Sequence, residues 1–124
     1  MVVEDESLLL QAICKKLTLN KMNPISCASG KQALDYLENL PELPDAIWLD
    51  YHLKDMEGIT FMQKIKDHKK WREIPVFVVS NSASQDKIQG MLALGARKYL
   101  LKAEHRLDEL IRIIHDFILS EKGK

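Results

Sequence analysis

Short apolar segments alternate along the chain with longer segments in which apolar residues recur every three or four positions. The apolar segments lack alternation with polar residues, a pattern typical of strands buried on both faces of a parallel sheet. The longer segments have the spacing of amphipathic helices, which bury one apolar stripe. We predict strands at residues 1–3, 24–28, 46–49, 76–79 and 98–101.

Five helices are predicted between and after these strands. Two segments of the form Ser-x-x-Gln, at residues 29–32 and 82–85, resemble capping boxes and would begin the second and fourth helices. Met91 and Leu92 would lie on the apolar face of the fourth helix, and Gly95 would end it. The other helices are expected from residue 6 or 7 to about 19, from 58 or 59 to about 69, and from about 104 to 119.

Five strands alternating with five helices predict the α/β class, with a single parallel sheet and right-handed crossovers. The 124 residues suffice for one domain, and we assign all of them to it. The first strand is short for a central one, which suggests that a few residues are missing upstream.

Composition narrows the possible functions. The 18 basic and 18 acidic side chains cancel, which argues against non-specific nucleic-acid binding. No apolar run approaches membrane-spanning length and no signal-peptide pattern is present, so we expect no membrane association. Cys14 and Cys27 form no metal-binding motif, which fits a reducing, cytoplasmic compartment.

Charged or hydroxyl side chains follow four of the predicted strands: Glu4 with Asp5, Asp50, Ser80 and Lys102. In open α/β sheets the carboxyl ends of the strands form the ligand-binding edge. Carboxylates about 4 Å apart repel by roughly 4 kcal/mol at an effective dielectric of 20, so such a cluster needs cations. Lys102 can supply one, and Mg²⁺ or Mn²⁺ can supply another. Such a site suits phosphoryl transfer to a carboxylate nucleophile.

The order and spacing of these segments resemble those of the receiver domain of two-component response regulators. The resemblance covers essentially the whole chain. It implies a flavodoxin-like fold with strand order 2-1-3-4-5. The segments that carry it are at residues 2–6, 49–50 with Gly58 eight residues later, 78–80, 95–96 and 99–102.

The resemblance also implies roles for individual residues. Asp50 corresponds to the phosphoacceptor, which takes a phosphoryl group from a histidine kinase. Asp5 and Asp50 correspond to direct Mg²⁺ ligands, together with the backbone carbonyl of His52, and Glu4 would act through water. No separate enzymatic activity is expected beyond the domain's own phosphoryl transfer and dephosphorylation.

Three further residues correspond to the switch of such domains. Ser80 would bind a phosphoryl oxygen, Lys102 would pair with the phosphate, and Tyr99 would turn inward on activation. The implied partners are a histidine kinase or phosphotransfer protein, and an output protein or effector domain bound through the fourth helix, fifth strand and fifth helix. That face would include Lys87 and Met91, and a homodimer is possible.

The chain departs from the family's pattern at four positions. Ala103 replaces the proline that usually follows the lysine through a cis bond, so we predict a trans Lys102–Ala103 bond. Lys54 replaces the usual proline after the phosphoacceptor, which should leave residues 51–57 freer. Asn81 and His52 are bulkier than expected, and we hypothesise that they screen an acyl phosphate from water.

Three alternatives remain at this point. A flavodoxin-like nucleotide or flavin module would need a phosphate-cradling loop at a helix start, where this chain has Glu4, Asp5 and Glu6. An aspartyl-nucleophile hydrolase would need an acid at the position of His52. A receiver-like interaction module that works without phosphorylation would differ only in its use.

Overall fold

The computed structural model describes residues 1–82 and 84–122, with Lys122 described by its backbone alone. Strands and helices alternate strictly along these residues, as the apolar pattern predicts. The strands are β1 (Val2–Val3), β2 (Ser26–Cys27), β3 (Ile47–Leu49), β4 (Val76–Ser80) and β5 (Lys98–Leu101). The helices are α1 (Ser7–Leu19), α2 (Gly30–Asn39), α3 (Gly58–Asp67), α4 (Gln85–Ala93) and α5 (Leu107–Lys122).

The five strands form one parallel sheet in the order β2-β1-β3-β4-β5, which confirms the predicted fold class and strand order. Val3 lies opposite Leu49, and Leu49 lies opposite Val78. The residues that follow β1, β3 and β4 therefore leave the sheet side by side at its carboxyl edge.

Helices cover both faces of the sheet, which explains why the strands show no polar alternation. Trp48 and Phe77 point to the face covered by α1 and α5, where Ile13 and Ile111 are buried. The neighbouring strand residues point to the opposite face, which α2, α3 and α4 cover. Its fully buried side chains include Ile47, Leu49, Val76, Val78, Phe61, Met62, Ile65 and Met91.

The first predicted helix cap is confirmed and the second is wrong. The Ser29 hydroxyl accepts a hydrogen bond from the backbone N–H of Gln32 at 3.0 Å, as a capping residue should. In α4 the capping residue is Ser84, whose hydroxyl accepts from Lys87 N at 3.2 Å, rather than Ser82. Ala83, inside the predicted box, lies outside the described residues.

Several element boundaries also differ from the prediction. The β2 strand is shorter than residues 24–28, α3 ends at Asp67, and α5 begins at Leu107 rather than near residue 104. Leu92 is 44% exposed, so it does not belong to the buried face of α4, where Met91 is fully buried. Within the described ranges, no helix is long and apolar enough to cross a membrane.

Gly58 lets the start of α3 approach the segment after β3. A Cβ atom added at Gly58 would lie 2.9 Å from Tyr51 Cα, and this backbone atom cannot move away cheaply. We expect Gly58→Ala to lower the free energy of unfolding by about 1–3 kcal/mol, measured by urea denaturation. Gly90→Ala is the control, because its new methyl would meet only Ile59 Cδ1, at 3.5 Å. Equal stability of the two variants would contradict the prediction.

Candidate functional site

Three carboxylates converge at the carboxyl edge of the sheet. Glu4 and Asp5 follow β1, and Asp50 follows β3; Glu4 is 1% exposed, Asp50 is 7% exposed and Asp5 is half-buried. One oxygen from each carboxylate lies within 4.8 Å of the other two, close enough to share one cation. The structure therefore brings together the three acidic residues that the sequence placed at two separate strand ends.

Lys102 supplies a positive charge to this cluster. Its ammonium nitrogen lies 2.8 Å from Glu4 Oε1 and 3.7 Å from Asp50 Oδ2. The backbone N–H of Lys102 also donates to Ser80 O at 2.9 Å, which holds the end of β5 against the end of β4. The lysine thus offsets part of the charge of two buried carboxylates, as the sequence argument required.

Asp50 is held in a setting that disfavours its charged form. Burial, and then the nearby negative charge of Glu4, raise the pKa of Asp50 to about 7, although Lys102 pulls in the other direction. The backbone N–H of His52 approaches Asp50 Oδ1 at 3.4 Å and also favours the carboxylate. A cation at this site would favour ionised Asp50, because it would offset the repulsion from Glu4.

Ser80 and Tyr99 are connected through one residue, Ser82. Ser80 is fully buried at the end of β4, and its hydroxyl oxygen accepts from the backbone N–H of Ser82 at 3.2 Å. The Tyr99 hydroxyl donates to the backbone carbonyl of Ser82 at 2.9 Å. A displacement of the Ser80 side chain would therefore be transmitted to the residue that Tyr99 holds.

A second group of contacts lies over the same edge and was not predicted from the sequence. His52 Nε2 lies 3.1 Å from Ser82 Oγ, and the Lys87 ammonium lies 3.2 Å from the same histidine nitrogen. Lys87 also lies 5.2 Å from the centroid of the Tyr51 ring. These contacts join the segment after β3, the segment after β4 and α4. No local pattern indicates them, because the residues are far apart in the chain.

The loop formed by residues 51–57 is held at several points, although it lacks the usual proline. The backbone N–H of Lys54 donates to Asp5 Oδ2 at 2.6 Å. The Asp55 carboxylate accepts from the first two amides of α2, Gly30 N at 3.0 Å and Lys31 N at 2.8 Å. Burial alone would raise the pKa of Asp55, but these amides and other backbone N–H groups of the loop together lower it. The expected freedom of this loop is therefore countered by hydrogen bonds that sequence reasoning missed.

Comparison with known families decides the assignment. The model of the response regulator receiver domain family matches residues 1–115 of this chain. The chain belongs to this family.

Individual members of the family are distant in sequence. The two-component response regulator ORR7 of rice (Oryza sativa subsp. japonica) is 32% identical over 102 residues, which cover 82% of this chain and 48% of that protein. The phosphate regulon transcriptional regulatory protein PhoB of Escherichia coli (strain K12) is 33% identical over 103 residues, which cover 82% of this chain and 44% of that protein. This receiver domain thus spans about half the length of these two relatives.

Solved structures agree with the assignment. The receiver domain of the Francisella response regulator 1452 superimposes with a TM-score of 0.81 at 27% identity, covering 99% of this chain and 96% of that one. The phosphorylated cyanobacterial phytochrome response regulator RcpA gives a TM-score of 0.82 at 28% identity, covering 97% and 92%. Receiver domains of this kind are signalling switches of two-component systems rather than conventional enzymes.

The backbone shows the geometry of the Lys102–Ala103 bond, where alanine replaces the family's usual proline. No peptide bond among the described residues is cis, so the Lys102–Ala103 bond is trans, as predicted from the alanine.

Proposed function

We propose that this domain accepts a phosphoryl group on Asp50 in a reaction that depends on Mg²⁺ and thereby switches a protein-binding surface. The observation that carries the proposal is the grouping of oxygens from Glu4, Asp5 and Asp50 within 4.8 Å, with the Lys102 ammonium 3.7 Å from Asp50. The phosphoryl donor would be the phosphohistidine of a histidine kinase or a phosphotransfer protein.

The donor set fits a hard divalent cation. Carboxylate oxygens are the ligands that Mg²⁺ and Mn²⁺ take, usually one or two of them with waters and phosphate oxygens completing the shell. In our proposal Asp5 and Asp50 bind the ion directly, the His52 carbonyl is a third ligand, and Glu4 acts through water. Glu4 already bonds Lys102 at 2.8 Å, which favours an indirect role for this carboxylate.

The chemistry needs ionised Asp50 and a neutralised phosphoryl group. An Asp50 oxygen forms a bond to phosphorus while the bond from phosphorus to the donor's imidazole nitrogen breaks, and the electron pair leaves with that nitrogen. The Lys102 ammonium binds a phosphoryl oxygen, so charge is offset as it shifts onto that group. When bound, Mg²⁺ supplies further charge neutralisation and orients the phosphoryl oxygens.

After transfer, Ser80 would couple the new phosphoryl group to a structural change at the protein surface. The hydroxyl would exchange its contact with Ser82 for a phosphoryl oxygen, and the Ser82 carbonyl that Tyr99 holds would move with it. We define the output face as the exposed side of α4, β5 and α5, and we propose that it binds an output protein, an effector domain or a second receiver. Met91, first expected on that face, is fully buried and cannot contribute.

The test is phosphorylation with a small acyl phosphate donor, followed by intact-mass measurement. We expect one added phosphoryl group on the wild type with Mg²⁺, none with excess chelator, and none on Asp50→Asn. The absence of added mass on the wild type would instead favour the phosphorylation-independent interaction module.

The lifetime of the phosphorylated form tests the contacts above the site. His52 and Asn81 are both exposed, but the His52 ring is tied to Ser82 and Lys87 above the site. His52→Ala should therefore speed hydrolysis of the acyl phosphate severalfold, because water gains access, and more than Asn81→Ala does. The loss of the phosphoryl group from the phosphorylated proteins, followed over time, gives the hydrolysis rates. His52→Gln, which can still reach Ser82, should decay at nearly the wild-type rate; unchanged decay in both alanine variants would contradict the hypothesis.

A further inference from the structure

The backbone amide of Lys54 makes one of the shortest contacts in the site. It donates to Asp5 Oδ2 at 2.6 Å, while the Lys54 side chain is exposed. Only a residue with a backbone N–H can make this bond. The proline that the family usually has at this position has no N–H, so the bond depends on the departure to lysine.

The surrounding loop holds the Lys54 amide in a defined orientation. On its carboxyl side, the Asp55 carboxylate is anchored by two backbone amides of α2, at 3.0 and 2.8 Å. Met56 packs closely enough against Gly30 that an added Cβ there would lie 2.7 Å from its sulfur. Farther along, Gly58 N donates to Tyr51 O at 2.6 Å and closes the loop. The direction of the Lys54 N–H is thus determined by α2 and by the loop itself.

A carboxylate that is hydrogen-bonded through one oxygen presents the other oxygen in a defined direction. Outer-shell donors of this kind orient metal ligands, and their loss typically weakens metal binding. Oδ2 of Asp5 already accepts the Lys54 N–H, which favours Oδ1 as the oxygen that binds a cation. The same amide occupies the position at Oδ2 that a water molecule or a second cation would otherwise take.

We propose that the Lys54 backbone N–H is a positioning group for the cation site: it orients the Asp5 carboxylate for monodentate binding of Mg²⁺. This inference rests on the proposed function, because it concerns the same ion. The backbone N–H acts independently of the Lys54 side-chain charge. Its effect on Mg²⁺ binding can therefore be measured separately from the effect of that charge.

The test compares three variants by titrating MgCl₂ and following the backbone amide peaks of the site by NMR. Lys54→Pro removes the N–H and the charge, whereas Lys54→Ala removes only the charge. A semisynthetic protein with an ester in place of the Lys54 amide replaces the N–H by an oxygen, keeps the side-chain charge and avoids any strain from the proline ring. We expect the Mg²⁺ dissociation constant to rise about 10-fold in the proline and ester proteins. In Lys54→Ala it should stay within about 2-fold of the wild type, since the N–H is kept.

The outcomes separate this inference from the proposal on which it rests. Wild-type affinity in the ester protein, with a native NMR spectrum, would overturn the positioning role alone. An equal loss in Lys54→Ala and Lys54→Pro would also overturn it, because the ammonium would then carry the effect. A wild-type protein that shows no Mg²⁺ binding would overturn the metal step of the proposed function and this inference together.

Discussion

Asp50→Asn is expected to stabilise the unphosphorylated fold at pH 8 in the absence of divalent cations, although it removes the proposed phosphoacceptor. Burial and Glu4 raise the pKa of Asp50 to about 7 in the folded protein, from about 4 for an unperturbed aspartate. A carboxyl whose pKa is higher in the folded than in the unfolded chain costs no stability below the unfolded value. Its cost grows as the pH rises between the two values and is complete above the folded one. Asparagine carries no charge and can still donate to Glu4.

The expected gain at pH 8 is about 4 kcal/mol in the free energy of unfolding, and it should shrink towards pH 5. Urea denaturation of both proteins across this pH range measures it. Asp67→Asn, at the exposed end of α3, is the control and should change the stability little. Saturating Mg²⁺ should stabilise the wild type more than Asp50→Asn, because the ion binds the ionised carboxylate. A variant that is less stable than the wild type at pH 8 would contradict this account of the site.

Replacement of Lys102 by methionine is expected to have the opposite effect on stability. Glu4 is 1% exposed and has its ion pair with Lys102 at 2.8 Å, so the variant would leave a buried carboxylate without its cation. Removal of one partner of a buried pair costs about 3–5 kcal/mol. We expect a loss of about this size at pH 7, measured by urea denaturation, and little phosphoryl incorporation by intact mass.

A double variant distinguishes this cause from simple loss of packing. Glu4→Gln combined with Lys102→Met removes both charges, so most of the lost stability should return without the return of phosphorylation. Equal instability of the single and double variants would show that the lysine stem, rather than its charge, stabilises the sheet edge.

Much of the architecture was predictable because its causes are local. The runs at residues 47–49 and 76–79 are apolar on both faces, and only a sheet covered on both sides buries such strands. The Ser29 cap and the stop at Gly95, which has a φ of 102°, depend on a few adjacent residues. The start of α4 was misplaced because two serines, Ser82 and Ser84, offer equivalent caps, and contacts of Ser82 with distant residues decide between them.

Part of the candidate site was likewise predictable from the sequence, and part was not. The positions of Glu4, Asp5, Asp50, Ser80 and Lys102 at strand ends follow from the strand pattern, and a parallel sheet then brings strand ends to one edge. The bridge from His52 to Lys87 joins residues 35 positions apart, and the bond from Lys54 to Asp5 joins residues 49 positions apart. No local sequence pattern predicts either of these two contacts.

Residue types and their periodicity are enough to show which segments are strands and helices, and which strand ends carry charge, because both act over a few neighbouring positions. The burial of each carboxylate, the pairing of Lys102 and the hydrogen bond to one oxygen of Asp5 follow instead from how distant segments pack together. Those properties depend on distances between segments, and the energy of a charge depends on the burial and the partners that these distances create.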